Sequence, residues 1–175
     1  MEKKIDVTKF KCLKTLEGHS DEVYSVAYSP DGTKITSASR DDTIKRWNAN
    51  TGQCLQTSEG LILRVQFIAY SPDGTKIISR SGNNIKIRDA NTEQCLKTLE
   101  GHSDWVNSLS YSPDGTKIIS GSMDKTVKIW DANTGQCLKT LEGHSDDVES
   151  VAFSPDGTKI ISGSDDKTIK IWGEE

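Results

Sequence analysis

Residues 112–131 read SPDGTKIISGSMDKTVKIWD, and closely similar stretches begin at Ser29, Ser71 and Ser154. The four copies follow one another at steps of 41 or 42 residues. A period of this length is typical of proteins built from stacked structural repeats, in which each unit covers the hydrophobic face of the next. The sequence therefore predicts four units of one architecture rather than a single irregular domain.

Each unit is predicted to contain four short β-strands. In the third unit, the strand-forming residues 106–112 are followed by turn residues at 113–115, and residues 126–131 alternate in polarity as a strand requires. Residues 117–122 and 136–141 supply the other two strands. No segment shows sustained helical periodicity, so the pattern favours the four-stranded blade of a β-propeller over helical or horseshoe repeats.

Two dipeptides recur at fixed places in these units. Gly-His begins at Gly18, Gly101 and Gly143, and Trp-Asp begins at Trp130, with the variants Trp-Asn at Trp47 and Trp-Gly at Trp172. These motifs resemble the WD-repeat family over nearly the whole chain after residue 10. The resemblance implies an all-β fold, a β-propeller of four-stranded antiparallel blades with four blades per chain. The repeats of this single propeller domain or half-propeller, residues 1–175, would lie near 11–52, 53–93, 94–135 and 136–175.

Three of the units hold a histidine, a serine, an aspartate and a tryptophan, which include the components of a nucleophilic triad. The family resemblance implies a different role, a structural tetrad in which aspartate accepts from histidine, histidine contacts serine, and serine accepts the indole N–H. Three copies of one constellation also favour scaffold over active site. The predicted tetrads are His19, Ser37, Asp41 and Trp47; His102, Ser120, Asp124 and Trp130; and His144, Ser162, Asp166 and Trp172.

The second unit departs from this pattern. Leu61 stands in place of the histidine, Arg88 stands in place of the tryptophan, and the turn at 82–84 is one residue short. Because its tetrad is lost, we expect this blade to be the least stable of the four. The apolar residues 61–63 either add to the packing or form an exposed patch for a partner.

The ends of the chain are offset from the repeats by one strand. Residues 11–16 match the fourth strand at 136–141, whereas the chain ends with a third strand at 169–172. One blade is therefore predicted to combine strands from both ends, with residues 11–16 as its outer strand. This arrangement resembles the interlocking closure of the family and would remove an open sheet edge.

Closing a ring with only four blades would require about a right angle between neighbours, and propellers have four to eight blades. Rings of about seven or eight are usual in the WD-repeat family. We therefore expect two chains to join head to tail around a two-fold axis as a homodimer with eight blades, each N-terminal strand completing the last blade of the other chain. The alternatives are a four-repeat fragment that needs a different partner and a piece cut from a longer propeller.

Positions that differ between these similar units are the candidates for partner recognition. The resemblance places the most variable positions on one rim of the propeller, the face most often used to bind peptides. Trp105 is the strongest candidate because tryptophan is enriched at interaction hot spots; the alternative is a tryptophan that only packs or faces solvent. The predicted partner-binding residues are Glu22, Tyr24, Arg40, Arg64, Gln66, Trp105, Asn107, Met123, Asp147, Glu149 and Asp165.

Composition excludes several classes of partner and cofactor. The formal net charge is −4 and the lysines are spread evenly among the units, which argues against binding to nucleic acid. No apolar run is long enough to span a membrane, and no secretory signal is apparent. The four cysteines lack metal-ligand spacing. We therefore expect reduced thiols, a cytoplasmic location, and neither a metal nor a cofactor.

The three histidines of the chain all belong to the predicted tetrads, so a catalytic site in the channel would lack a histidine. The leading hypothesis is a non-catalytic protein–protein interaction scaffold that presents a propeller rim to a protein or peptide. Two alternatives stay open. One is the binding of a small ligand or sugar in the channel, and the other is an engineered or recently amplified repeat array without a specific ligand.

Overall fold

The computed structural model describes residues 7–58 and 65–174 of the chain. A short 3-10 helix, Val7–Lys9, precedes the strands, and no helix within the described ranges is long and apolar enough to cross a membrane. The strands form four antiparallel sheets, as predicted for an all-β repeat protein, and strands that are consecutive in a sheet are also consecutive in the chain. We call each sheet a blade.

Blade 1 contains β1 (Val23–Tyr28), β2 (Lys34–Ser39), β3 (Ile44–Asn48) and β4 (Cys54–Ser58). Blade 2 contains β5 (Val65–Tyr70), β6 (Lys76–Ser81), β7 (Asn84–Asp89) and β8 (Cys95–Leu99). Blade 3 contains β9 (Val106–Tyr111), β10 (Lys117–Ser122), β11 (Val127–Asp131) and β12 (Cys137–Leu141). Blade 4 contains β13 (Val148–Phe153), β14 (Lys159–Ser164) and β15 (Ile169–Gly173). The first strands of successive blades contact one another, so β1, β5, β9 and β13 are the innermost strands of the arc.

The first hairpin turn of each blade is held by its Ser-Pro-Asp-Gly sequence. In blade 3, Asp114 Oδ1 accepts hydrogen bonds from Ser112 Oγ at 2.6 Å and from Thr116 N at 3.0 Å. These bonds lower the pKa of Asp114 to about 2, and the bond from Ser112 has the largest effect. Gly115 has a φ of 71°, a conformation that favours glycine. The repeated motif therefore gives every blade the same hairpin, held by an ionised aspartate at neutral pH.

The hydrophobic core lies between the blades. In the interface of blades 2 and 3, Ile78 and Ile85 from the central strands of one blade cluster with Val106 and Leu109 from the first strand of the next. Equivalent clusters join blades 1 and 2 and blades 3 and 4. Each internal interface therefore joins the central-strand face of one blade to the first-strand face of the next.

The two end faces of the arc leave these same kinds of surface exposed. On blade 1, Val26 is 65% exposed, whereas its counterpart Val151 in the interface of blades 3 and 4 is 6% exposed. On blade 4, Ile169 is 77% exposed, whereas its counterpart Val127 is 0% exposed. The two ends of the arc thus expose one first-strand face and one central-strand face, the two kinds of face that pack together at the interfaces inside the arc.

Blade 4 has three strands in the described structure, and β15 pairs only with β14. Residues 11–16, predicted as the outer strand of this blade, belong to no described sheet. They lie instead beside blade 1, where Leu16 packs against Gly52, and therefore at the opposite end of the arc from β15. A single chain does not close its own ring in this structure.

Candidate functional site

The tetrad of blade 3 joins a loop, a turn and two strands. His102 precedes β9, Ser120 lies in β10, Asp124 in the following turn and Trp130 in β11. His102 Nδ1 is 2.6 Å from Asp124 Oδ2, His102 Nε2 is 2.6 Å from Ser120 Oγ, and Trp130 Nε1 donates to Ser120 Oγ at 2.8 Å. A neutral imidazole with its proton on Nδ1 satisfies all of these contacts, because it donates to the aspartate and accepts from the serine.

Blades 1 and 4 contain the same network. The structure brings together all four predicted residues in each, with histidine–aspartate distances of 2.9 and 2.6 Å. The histidine–serine distances are 2.7 and 2.8 Å, and both indole-to-serine bonds are 2.8 Å long.

Burial makes the tetrad unsuited to catalysis. Ser120 is 0% exposed, so a substrate has no access to its hydroxyl. Burial lowers the pKa of His102, which keeps the imidazole neutral at neutral pH. The pKa of Asp124 is also lowered, because hydrogen bonds from Thr126 and His102 outweigh the opposing effect of burial. The network therefore satisfies buried polar groups and ties the first loop of the blade to its central strands.

A threonine two residues after each tetrad aspartate is a fifth member that the sequence analysis did not identify. Thr126 donates to Asp124 Oδ1 through its backbone N–H at 3.0 Å and its hydroxyl at 2.7 Å, and its hydroxyl is 3.5 Å from His102 Nδ1. Thr43 and Thr168 make the same contacts in the other two complete blades. The recurrence of Asp-X-Thr in three units was the signal available in the sequence.

Blade 2 lacks these contacts. Ser79, the counterpart of Ser120, is 0% exposed, and its hydroxyl has no hydrogen-bond partner among the described residues. Arg88, which replaces the tryptophan, is buried and donates to Glu93 O at 3.1 Å instead of reaching the serine. Leu61 and the rest of the apolar stretch at 61–63 lie outside the described residues, so the alternative roles of that stretch stay predictions.

Blade 2 is expected to exchange its backbone amides faster than blade 3. The loss of a tetrad removes several buried hydrogen bonds, each of which contributes about 1 kcal/mol, so amides in β6 and β7 should exchange at least about tenfold faster than those in β10 and β11. Native-state hydrogen exchange read by mass spectrometry measures this difference. Both blades have neighbours on either side, which makes blade 3 the appropriate control. Equal protection of the two blades would contradict the prediction.

Six of the predicted partner-binding positions lie where the loop before the first strand meets the turn between the second and third strands, and four others lie near the start of the first strand of their blade: Tyr24, Gln66, Asn107 and Glu149. Within a blade these two segments are joined by a backbone hydrogen bond of 2.8 or 2.9 Å, so their side chains are neighbours. Arg64 lies outside the described residues. The joined pairs are Arg40 with Glu22, Met123 with Trp105, and Asp165 with Asp147. We call the surface formed by these pairs and their neighbours the rim.

The rim has a different chemistry in blades 1, 3 and 4. Blade 1 carries an exposed ion pair, with Arg40 3.5 Å from Glu22. Blade 3 carries two exposed apolar side chains, Trp105 and Met123, of which the tryptophan is 47% exposed. Blade 4 carries the carboxylates of Asp147, Glu149 and Asp165, whose oxygens lie within 4.8 Å of one another. The pKa of Glu149 is raised, mainly by partial burial and to a smaller extent by repulsion from the two aspartates.

Four of the predicted rim residues are only partly available to a partner. They are half-buried, and they are Tyr24, Gln66, Asn107 and Asp147. Gln66 Oε1 accepts a hydrogen bond from Arg80 at 2.6 Å, and Asn107 Nδ2 donates to Glu149 Oε1 at 3.0 Å. The contact of Asn107 joins blade 3 to blade 4, whereas the contact of Gln66 lies within blade 2.

Arg80 is a rim-side residue that the sequence analysis did not identify. Its guanidinium donates to Val106 O at 2.5 Å and to Asn107 O at 3.2 Å, and burial lowers its pKa. It replaces the small residues Ala38, Gly121 and Gly163 of the other blades. A long charged side chain where the other units have alanine or glycine was the available signal, but two of its hydrogen-bond acceptors, Val106 O and Asn107 O, lie in the next blade.

Comparison with known proteins identifies the repeats. The WD40 family, described as WD domain, G-beta repeat, matches residues 10–48, 93–131 and 135–173, about two thirds of the chain, and these segments exclude most of the second repeat. The chain resembles the vegetative incompatibility protein HET-E-1 of Podospora anserina, with 54% identity over 41 residues, 23% of this chain and 3% of that protein. It also resembles a guanine nucleotide-binding protein subunit beta of Arabidopsis thaliana, with 44% identity over 46 residues, 26% of this chain and 12% of that protein.

A solved structure extends the similarity to the whole arrangement of blades. The WD40 repeats of RRP9 superpose with a TM-score of 0.80 at 27% identity, covering 91% of this chain and 50% of that chain. The chain thus spans half of that structure and only a small part of the curated relatives it matches. The motifs, the four sheets and the family match agree, and the chain belongs to the WD40 repeat family.

Proposed function

We propose that the chain is a non-catalytic interaction scaffold whose rim binds a protein or peptide partner. The observation that carries the proposal is the concentration of sequence differences at the rim of otherwise similar blades, with Trp105 and Met123 side by side and exposed. WD40 repeat proteins typically act as protein-interaction scaffolds and are generally non-catalytic. One relative is itself named as a subunit of a larger protein. The four exposed, unpaired cysteines suit the reducing cytoplasm, which we propose as its location.

Replacement of Trp105 tests this proposal. Trp105→Ala is expected to weaken binding by about tenfold or more, because a desolvated tryptophan typically contributes more than 1 kcal/mol at a hot spot. The ligands are peptides selected by display for binding to the unaltered protein, and affinity is measured by calorimetry. Leu138→Ala is the matched control, since Leu138 is an exposed apolar residue of the same blade but lies on its outer strand. Unchanged affinity in the Trp105 variant would refute the assignment of the rim.

A cavity at the opposite end of the innermost strands supports a second candidate function, the binding of a small apolar ligand. It has a volume of about 630 Å³ and is lined by aromatic residues and by the turn prolines. The aromatic lining residues are Tyr28, Phe67, Tyr70, Tyr111 and Phe153. The rim is the better-supported site, because its residues differ between blades whereas an aromatic residue recurs in this cavity in every blade.

We also propose that two chains form the complete ring, a homodimer of eight blades. The two apolar end faces support this proposal, because a first-strand face packs on a central-strand face at every interface inside the arc and the ends expose one face of each kind. The superposition of the chain on half of a WD40 structure also supports it. Light scattering at micromolar concentration is expected to give twice the 19.3 kDa mass of the chain. A mass of one chain over this concentration range would contradict the ring.

A further inference from the structure

The rim of blade 1 holds a guanidinium, and it shows how this part of a blade accepts a cation. Arg40, in the turn between β2 and β3, has Nη1 3.5 Å from Glu22 Oε2 and Nε 3.9 Å from Asp21 Oδ2. Both acidic residues belong to the loop before β1. The backbone N–H of Arg40 donates to Glu22 O at 2.8 Å. The loop and the turn of one blade are therefore close enough for two loop carboxylates to share one guanidinium.

Blade 4 has the same backbone arrangement but the opposite charge in its turn. Asp165 stands in place of Arg40, and its backbone N–H donates to Asp147 O at 2.9 Å. The loop keeps its acidic character, because Asp147 corresponds to Glu22. Glu149 adds a third carboxylate, and oxygens of the three side chains lie within 4.8 Å of one another. We call Asp147, Glu149 and Asp165 the carboxylate cluster.

The carboxylate cluster has no cationic partner within the described ranges 7–58 and 65–174. None of its three members forms an ion pair with a lysine or an arginine there. The charge of Arg80 acts on Glu149, but the two Nη atoms of that guanidinium donate to oxygens of blades 2 and 3. Like charges at this spacing repel one another. A cation supplied from outside would therefore be attracted to the cluster.

The carboxylate cluster adjoins the exposed apolar pair of blade 3, Trp105 and Met123. Asn107, two residues after Trp105, donates through Nδ2 to Glu149 Oε1 at 3.0 Å. Lys125, two residues after Met123, donates through Nζ to the backbone of the loop before β13 at 3.0 Å. An apolar patch and an acidic patch therefore form one continuous surface across the junction of blades 3 and 4.

We infer that the segment bound by the rim carries an arginine close to a large apolar residue, with the guanidinium at the carboxylate cluster and the apolar side chain on Trp105 and Met123. This inference rests on the proposed function and specifies the chemistry of its partner. Arginine fits better than lysine because its planar fork donates to two carboxylates at once. Arg40 contacts two carboxylates in this way in blade 1. Residues of an extended segment are about 3.3 Å apart, so an arginine within about four positions of the apolar residue would reach both patches.

A thermodynamic cycle between the protein and its peptides tests this inference. Peptides are selected by display on the unaltered protein, and the arginine of each is then replaced by citrulline, an uncharged side chain of the same shape. On the protein side, Asp147→Asn, Glu149→Gln and Asp165→Asn are combined in one variant. This variant should fold, because it relieves repulsion and a glutamine keeps the acceptor for Asn107. Affinities are measured by calorimetry at about 0.05 M salt, where screening is weak.

A second triple variant controls for the change in net charge. It combines Glu17→Gln, Glu100→Gln and Glu142→Gln, three exposed glutamates that precede the Gly-His motifs and lie outside the carboxylate cluster. The two variants lose the same number of negative charges, so only the position of the lost charges differs between them. A weakening confined to the cluster variant therefore reports local contact with the arginine rather than attraction by the whole protein.

Neutralising the cluster and replacing the arginine by citrulline are each expected to weaken binding about tenfold, because several ion pairs are lost together. The two changes combined should weaken binding by little more than either alone, since both remove the same contact. The control variant should bind within about twofold of the unaltered protein. The affinity of the unaltered protein should also fall when the salt is raised to about 0.5 M.

Three results would overturn the inference. Peptides that depend on Trp105 but contain no arginine would do so, as would independent effects of citrulline and the cluster variant, and both results would leave rim binding intact. Tight binding of calcium chloride alone, lost in the cluster variant, would assign the cluster to a metal ion instead. Failure of the rim proposal itself is distinct, because it appears as selected peptides whose affinity does not respond to Trp105→Ala.

Discussion

Gly121→Val is expected to lower the free energy of unfolding by about 3 kcal/mol, because the interface of blades 3 and 4 has no room for a side chain at this position. A Cβ on Gly121 would lie 2.6 Å from Val148 Cγ1 and 2.9 Å from Val151 Cγ1. Valine side chains are short and stiff, so they cannot move aside without shifting β13. Guanidinium unfolding followed by circular dichroism measures the effect. A loss of less than about 1 kcal/mol would mean that the blades separate easily to admit the side chain.

Gly163→Val is the matched control, and it also reports on assembly. Gly163 occupies the same place in blade 4, but a Cβ there meets no atom within 4 Å in the single chain. The variant should therefore fold. In the proposed ring this position faces Val23 and Val26 of the partner subunit, so the variant should have the mass of one chain at concentrations where the unaltered protein is a dimer. A Gly163→Val protein that dimerises normally would contradict the proposed face-to-face packing.

Ser120→Ala is expected to cost about 3 kcal/mol, a drop in the melting temperature on the order of 10 °C. The serine hydroxyl is the acceptor for Trp130 Nε1 and the partner of His102 Nε2, so its removal leaves two buried polar groups without a partner. The cost should exceed that of an ordinary hydrogen bond for this reason. Differential scanning calorimetry at one fixed protein concentration is the suitable measurement, because assembly contributes to the apparent stability.

Ser79→Ala in blade 2 provides the comparison within the same molecule. Ser79 is as buried as Ser120, but its hydroxyl has no partner among the described residues. Its removal should leave the melting temperature unchanged or raise it slightly, since a buried unpaired hydroxyl is unfavourable. Equal losses from the two substitutions would show that the tetrad contributes nothing beyond the volume of the serine side chain.

Local sequence patterns predicted the strands well because each hairpin depends on residues within its own unit. The predicted strand at 106–112 runs one residue beyond β9, and the predicted strand at 117–122 coincides with β10; Ser112 belongs instead to the turn, where its hydroxyl donates to Asp114. The tetrad positions also followed from spacing within one unit. The prediction for residues 11–16 did not follow from local patterns in the same way, because a β-strand forms only beside a second strand with which it can hydrogen-bond. The sequence CLKTL forms β12 beside β11, but next to blade 1 it pairs with no strand of the described ranges 7–58 and 65–174.

Contacts between units were less accessible to sequence reasoning. Glu93 takes the place of Gly52 and Gly135, and Ser58 takes the place of Leu16 and Leu99. These two changes belong together, because Ser58 Oγ donates to Glu93 Oε2 where the other blades pack leucine on glycine. They lie 35 residues apart, and their relation appears only when blade 1 is placed beside blade 2.

The open ends of the arc bear on how strongly the protein would hold its partner. A ring closed by two identical chains around its central axis carries two copies of the Trp105–Met123 pair on the same rim. A partner with two suitably spaced binding segments would engage both copies, and the second contact would form at the high effective concentration set by the linker between the segments. Such avidity would let individually weak peptide contacts give long-lived attachment. It would also make binding depend on chain concentration, since dilution below the dimer dissociation constant would remove bivalency before it removed the site itself.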